Sequence, residues 1–348
     1  MKRKSIFLIL VLLIGIFLSG CQTASSTESE ATEKENKPLT VFTTIFAIED
    51  FTKKIGGDHV QVQSVYPVGA DAHTFEPTMK KMMEIADADL FIFNGSGLEP
   101  FIDKSKDIFT NENVTLVEAS EGIELLEGHG HDHHDGEDEH TEHEGEHGEH
   151  SHDDGDEDGH ADHDHHEGEH DHNHDHDPHI WLDPNHAISM AENIKNALVE
   201  AMPSAKEDFE ENYQTVKQDL ENLDDELRTT IEGAEHPEIL VSHAAYGYWE
   251  HRYGLEQISI SGLSPENEPS QKQLQNIIET ADEHDINYIV YDQTPLTKIA
   301  DIVQKETGTT IVTLHNLEYI TEDDVKNNED YFSIMNKNIE NLKEILAP

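Results

Sequence analysis

Between Gly128 and Asp177 the sequence carries 17 histidines, 21 Asp or Glu and no Lys or Arg. A run with almost nothing apolar cannot bury itself, so it is expected to be disordered. Any folded structure must come from the two stretches that flank it. The run also names a chemistry: neutral imidazole is the commonest protein metal ligand, and carboxylates follow. A solvated acidic loop does not call for His at a third of its positions. The run therefore reads as a flexible, low-affinity, multi-site metal trap inserted into a folded protein.

The N-terminus reads as a targeting segment. Lys2, Arg3 and Lys4 precede an almost wholly apolar stretch over 6–18, shorter than the ~20 residues of a membrane span. Leu18-Ser19-Gly20-Cys21 follows and resembles a bacterial lipobox, with Cys21 as the lipidation site. Cys21 is the single cysteine of the chain, which excludes an internal disulfide. Residues 23–37 (TASSTESEATEKENK) read as a disordered tether. The rest is expected on the outer side of the cytoplasmic membrane, lipid-anchored or periplasmic. The acids of the run account for less than half of the formal charge of −53, so the remainder, at −32, is acidic too. Such a surface excludes a nucleic-acid partner, whose phosphates demand a basic patch.

Each flank alternates short apolar runs with helical patterns. Strands are expected over 39–44, 60–66, 89–93 and 114–117, then over 238–242, 255–260, 288–291 and 310–314. Helices fit 45–55, 78–86, 244–253, 271–284 and 295–307. Four short apolar strands per half, alternating with helices, predict an α/β fold of two parallel-sheet lobes. Pro77, Pro184 and Pro295 suit first-turn positions, and Ser270 with Gln273 forms a capping-box pattern. Between the halves, Phe209, Tyr213, Val216, Leu220, Leu223, Leu227 and Ile231 recur at spacings of four and three. That stripe predicts one long rigid helix joining the lobes, ~40 Å at 1.5 Å per residue. The organisation is then a leader over 1–20, the lipidated Cys21 and tether over 21–38, and an N-terminal lobe over 39–202 with the insert at 128–177. A connecting helix over 203–235 and a C-terminal lobe over 236–348 complete it.

Nine histidines lie outside the run. His59, His236, His251, His284 and His315 suit surface, turn or helix-end positions, and His186 falls early in a helix. His73 lies just beyond the second strand, in 67–77 (PVGADAHTFEP). His179 lies at the downstream margin of the insert, in 177–184 (DPHIWLDP). His243 follows the strand at 238–242, and Asp292 follows the strand at 288–291. Open α/β sheets bind ligands beyond the carboxyl ends of their strands. Two candidates come from each half, so a shared metal would sit in the inter-lobe cleft.

These segments carry a resemblance. H-x-F-E-P at His73, D-P-H-x-W-L-D-P at His179 and S-H-x-A-[FY]-x-Y at His243 look like the zinc and manganese solute-binding lipoproteins of bacterial ABC importers. The loop at 262–270 (GLSPENEPS) is similar to the family's loop before a C-lobe helix. The likeness runs from about Leu39 to the end, and a His-rich insertion before the second ligand resembles the zinc branch. It implies two α/β lobes joined by one rigid helix, with His73, His179 and His243 as ligands and Asp292 as the least secure match, for the fourth. It also implies Zn²⁺ as cargo, an ABC permease as partner, membrane attachment through Cys21 and a monomeric state. Three imidazoles and one carboxylate suit tetrahedral zinc, whereas manganese takes more oxygen donors.

The expected function is extracellular zinc capture for a membrane importer; alternatives are a manganese-binding importer component and a surface adhesin or metal buffer. A zinc hydrolase is disfavoured: H-E-x-x-H occurs only within the His-rich run, at 143–147 and 166–170, where no helix is expected to hold it, and four protein ligands in the cleft leave no open position for substrate.

Overall fold

The computed structural model describes residues 37–110, 113–128, 176–265, 269–292 and 298–347. The expected leader, Cys21 and the tether up to residue 36 lie outside the described residues, as do 129–175 of the insert and Pro295.

The first flank forms a parallel sheet from β1 (Leu39–Thr43), β2 (Val60–Ser64), β3 (Leu90–Phe93) and β4 (Thr115–Glu118), in the order β2-β1-β3-β4. The second forms a parallel sheet from β5 (Glu238–His243), β6 (Glu256–Ser261), β7 (Tyr288–Tyr291) and β8 (Thr310–Thr313), in the order β6-β5-β7-β8. The same order in both makes each a doubly wound sheet. Its switch point, where strand order reverses, falls between β1 and β3 in one and between β5 and β7 in the other. Register places Val41 beside Leu90 and Leu240 beside Ile289. Helices cover both faces of such sheets, so the central β3 reads as an unbroken buried run, Leu-Phe-Ile-Phe.

Helix α1 (Phe46–Gly56) follows β1, and α2 (Met79–Ala86) and α3 (Pro100–Thr110) flank β3. Thr78, not Pro77, starts α2: its hydroxyl accepts from Lys81 N, so Pro77 lies before the cap rather than in the first turn. In α4 (Pro184–Ala201), Pro184 does occupy the first turn, and the Asp183 carboxylate accepts from Asn185 N. Helix α5 (Lys206–Ile231) is the predicted connector, preceded by a separate 3₁₀ turn at Pro203–Ala205. All seven stripe residues from Phe209 to Ile231 are buried. Each is stabilised by about 1.5–3 kcal/mol for leaving water.

In the second half, α6 (Gly247–Tyr253) starts later than expected and ends at Gly254, which takes the left-handed conformation at φ 79°. Helix α7 (Gln271–Glu283) carries the predicted Ser270–Gln273 capping box. Helices α8 (Lys298–Thr307), α9 (Glu322–Asn327) and α10 (Tyr331–Ile345) follow. The C-terminal α10 crosses back to pack on α5 and α1. As a result the main core runs without a break from Leu39 to Leu346, and the second half keeps only a small core of its own around Leu240, Ile289 and Val303. Among the described residues no helix is long and apolar enough to cross a membrane.

Candidate metal centre

The carboxyl ends of the two sheets face one buried cluster. His73 (7% exposed) lies in the loop beyond β2, where its N–H donates to Asp71 Oδ1 at 2.9 Å. His243 (1%) is the last residue of β5 rather than the first beyond it, and Asp292 (4%) follows β7 directly. Those two therefore stand at the switch point of the second sheet. His179 (0%) precedes a 3₁₀ turn at Ile180–Leu182. Its ring is central, with centroids 5.5 Å from both His73 and His243.

The three imidazoles are held differently. His179 Nδ1 lies 2.7 Å from Asp177 Oδ1, which also accepts the His179 N–H at 3.0 Å. His243 Nδ1 lies 2.8 Å from Asp292 Oδ2. A carboxylate hydrogen-bonded to one ring nitrogen, as Asp177 is to His179, fixes the tautomer and leaves the other nitrogen as a metal donor. His179 Nε2 and His243 Nε2 are both buried with no hydrogen-bond partner among the described residues. A buried imidazole nitrogen without a partner is costly, and a cation is what satisfies it. His73 Nε2 lies 3.9 Å from Glu318 Oε2.

Among the described residues no three His, Cys, Asp or Glu side chains are closed tightly enough to hold an ion. The two centroid separations at His179 are both 5.5 Å. Zn–N bonds of ~2.0–2.1 Å in tetrahedral geometry set neighbouring imidazole centroids roughly 5 Å apart.

Glu318 is the acid that sequence reasoning missed. It is 1% exposed and bridges the halves: its Oε1 accepts Ala72 N–H, one residue before His73. Burial raises its carboxyl well above the usual range, and the nearby Asp71 and Asp292 carboxylates push the same way. Negative charge concentrated in a buried cluster is stabilised by a cation. Glu318 lies beyond β8, so the rule that found His243 and Asp292 also covers it. It escaped because its place is set by contacts with the other half, which its neighbours in sequence do not announce. Asp177 was missed for another reason: it ends the acidic run and was counted with it. The structure assigns it to the fold, 4% exposed, so the insert's downstream margin falls before it.

The segment carrying His179 is clamped by the second half. Tyr248 Oη donates to Asp177 O, Trp249 Nε1 to Leu182 O and Tyr331 Oη to Trp181 O, at 2.6–2.8 Å. Trp181 Nε1 donates to Asn316 O at 2.7 Å. The segment carrying Glu318 is anchored in the first half, where Phe46 N and Ala47 N of α1 donate to Glu318 O and Leu317 O. Those are first-turn groups that a helix cannot satisfy itself. His315 is buried here, not at the surface as expected, because its Nδ1 accepts Leu317 N–H at 2.9 Å. That bond supports Leu317 at φ 59°, a strained conformation for a side chain with a Cβ.

Two doubly wound lobes with imidazoles and carboxylates buried between their strand ends define a metal-capturing solute-binding protein. The chain belongs to the ZnuA family: the model described as "Zinc-uptake complex component A periplasmic" matches residues 41–345. It is 34% identical over 322 residues to the high-affinity zinc uptake system protein ZnuA of Bacillus subtilis, covering 92% of each. It is 33% identical over 341 residues to the zinc-binding lipoprotein AdcA of Streptococcus pneumoniae, covering 98% of this chain but 61% of that relative. Among solved structures, the Zn(II)-bound ZnuA-like domain of S. pneumoniae AdcA superposes with a TM-score of 0.68 at 29% identity, covering 89% of this chain and all of that one.

Proposed function

We propose that this chain captures Zn²⁺ outside the cytoplasmic membrane and delivers it to an ABC-type importer. The observation that carries the reading is the central ring of His179, 5.5 Å from His73 and from His243, with the Nε2 atoms of His179 and His243 buried and unpartnered among the described residues. His73, His179 and His243 supply three nitrogens. Asp292, the fourth ligand expected from sequence, stands on His243 Nδ1 and takes an orienting role, as Asp177 does on His179. Glu318, beside His73, supplies the oxygen donor. Three nitrogens and one oxygen favour tetrahedral zinc over manganese. Zinc relatives from two genera support the same cargo.

Cys21 is the proposed lipid attachment point, and a relative named a lipoprotein supports it. The partner is the importer's membrane permease, and the chain acts as a monomer. The 129–175 run gathers zinc weakly near the cleft, since the chain that follows it, from His176, leads within three residues to His179.

The test is a zinc titration by calorimetry and metal analysis of the soluble chain lacking residues 1–21, with and without 129–175. One tight site persisting in the deletion supports capture in the cleft. Loss of all tight binding assigns the function to the run and overturns the reading.

A further inference from the structure

Glu99, immediately before α3, is 4% exposed. Its Oε1 accepts Thr44 Oγ1 at 2.7 Å and Asn94 N at 2.8 Å, and its Oε2 accepts Gly95 N at 3.1 Å. Thr44 follows β1 and Asn94 follows β3, so one carboxylate ties the two strand ends at the switch point of the first sheet. The loop it closes is tightly wound: Gly95, Ser96 and Gly97 take φ of 83°, 55° and 76°. Such a loop turns its N–H groups inward onto an anion. It leaves no room for a larger residue, since a Cβ on Gly95 would meet the Glu118 side chain at 2.3 Å.

The loop reaches the metal centre through Asn94, whose Nδ2 donates to Pro178 O at 3.1 Å. That carbonyl belongs to the peptide joining Pro178 to His179. The N–H of the same peptide donates to Asp177 Oδ1. Asn94 and Asp177 thus grip one peptide plane from its two sides, immediately before the central ring. Through Thr44 the same carboxylate lies two residues from Phe46, whose N–H holds Glu318 O at 2.8 Å. Burial pushes the Glu99 carboxyl up to about 7, against the pull of its hydrogen-bond donors. An acid held in the core at that cost has a task that an apolar residue filling the same space would not perform.

We propose that Glu99 is a positioning residue for the metal centre: through Asn94 it fixes the Pro178–His179 peptide and so sets how His179 meets the ion. The proposal rests on the assignment of His179 as a ligand.

The test uses the full mature chain with Glu99→Gln, Asn94→Ala, their combination, and His179→Ala as reference. Affinity for the first equivalent of Zn²⁺ is read by chelator competition, and geometry by the visible spectrum of one equivalent of Co²⁺. Melting after chelator treatment reports folding alone. Asn94→Ala and Glu99→Gln are each expected to weaken the first zinc by about 10–100-fold, as loss of outer supporting groups does. The combination should lose little more than the worse single variant, because both act on one chain of contacts. Asn94→Ala leaves all three bonds to Glu99 in place, so it decides the matter if Glu99→Gln does not fold. An Asn94→Ala protein with unchanged affinity and cobalt spectrum overturns the proposal, as do fully additive losses. If His179→Ala keeps its first zinc tight, the ligand assignment fails instead.

Discussion

His243 Nδ1 and Asp292 Oδ2 stand 2.8 Å apart, both side chains 1% exposed, one ending β5 and the other following β7. The pair spans two neighbouring strands at the switch point, so its geometry is fixed by sheet pairing rather than by a loop. In the proposed reading the carboxylate on Nδ1 orients a ligand, and Glu318 is the donor that closes the shell. Asp292→Asn should therefore retain one zinc per chain with affinity lowered about 10–100-fold. Glu318→Gln should cost more, because a neutral amide replaces the proposed charged donor. Chelator competition on the two variants checks the order. The reverse order would return Asp292 to the metal shell and Glu318 to a structural role.

The buried Glu99 predicts a pH dependence of folding with a definite sign. Its carboxyl lies at about 7 in the folded protein against an ordinary value of 4.5. The folded state therefore holds the proton more tightly than the unfolded chain. The stabilisation from Glu99 is fully present below pH 4.5 and is lost as pH rises through 7. With 1.36 kcal/mol per unit, the loss is about 3 kcal/mol. Urea denaturation of metal-free protein at pH 4.5 and pH 8 should show the parent losing roughly that much relative to Glu99→Gln. Parallel pH profiles for the two proteins would contradict the account.

Stability and metal affinity should separate along α5. Leu220 is fully buried in the middle of the stripe, on a helix that contributes no residue to the metal cluster. Leu220→Ala should cost about 2–5 kcal/mol through lost burial and the cavity left behind. Zinc affinity at 25 °C should stay within about twofold of the parent, provided the variant remains folded. Trp181→Phe should behave otherwise. It removes the Nε1–H bond to Asn316 O, two residues before Glu318, from a ring that packs 5.3 Å from His179. A buried carbonyl left without its donor costs about 1–3 kcal/mol. Here the loss should appear in zinc affinity as well as in the denaturation midpoint.

The alternation of β-branched and aromatic runs with helical stripes made both sheets legible, because strand and helix periods differ enough to be read locally. Three ligand candidates were legible because they follow strands whose ends must face a crevice. What escaped was set by contacts across the halves. Glu318 lies five residues beyond β8 and is placed by α1 and the Ala72 N–H, neither of which its neighbours in sequence announce. His315 reads as a polar turn residue until its Nδ1 is found supporting the Leu317 backbone. The return of α10 onto α1 is likewise invisible to periodicity. It reports only that α10 has an apolar face, not which half that face covers.

The neck of the insert makes the last prediction. Asp177 N donates to Leu126 O at 2.9 Å, and Glu127 pairs with His176 in an antiparallel bridge. Tyr248 Oη donates to Asp177 O and accepts Leu126 N–H, locking both sides of the neck to α6. Glu127 and His176 therefore lie side by side, and closing so short a gap needs only a hairpin turn. Replacing 129–175 with Asn-Gly should leave the Asp177 carboxylate on His179 Nδ1 and preserve one tight zinc site. The total zinc bound at saturation should fall to that single equivalent. In a strain relying on this chain, growth should suffer mainly when zinc is scarce, since capture capacity rather than the cleft is lost. A shortened protein that folds but has lost its tight site would mean that donors from the run complete the metal shell. The roles given to Glu318 and Asp177 would then have to be redrawn.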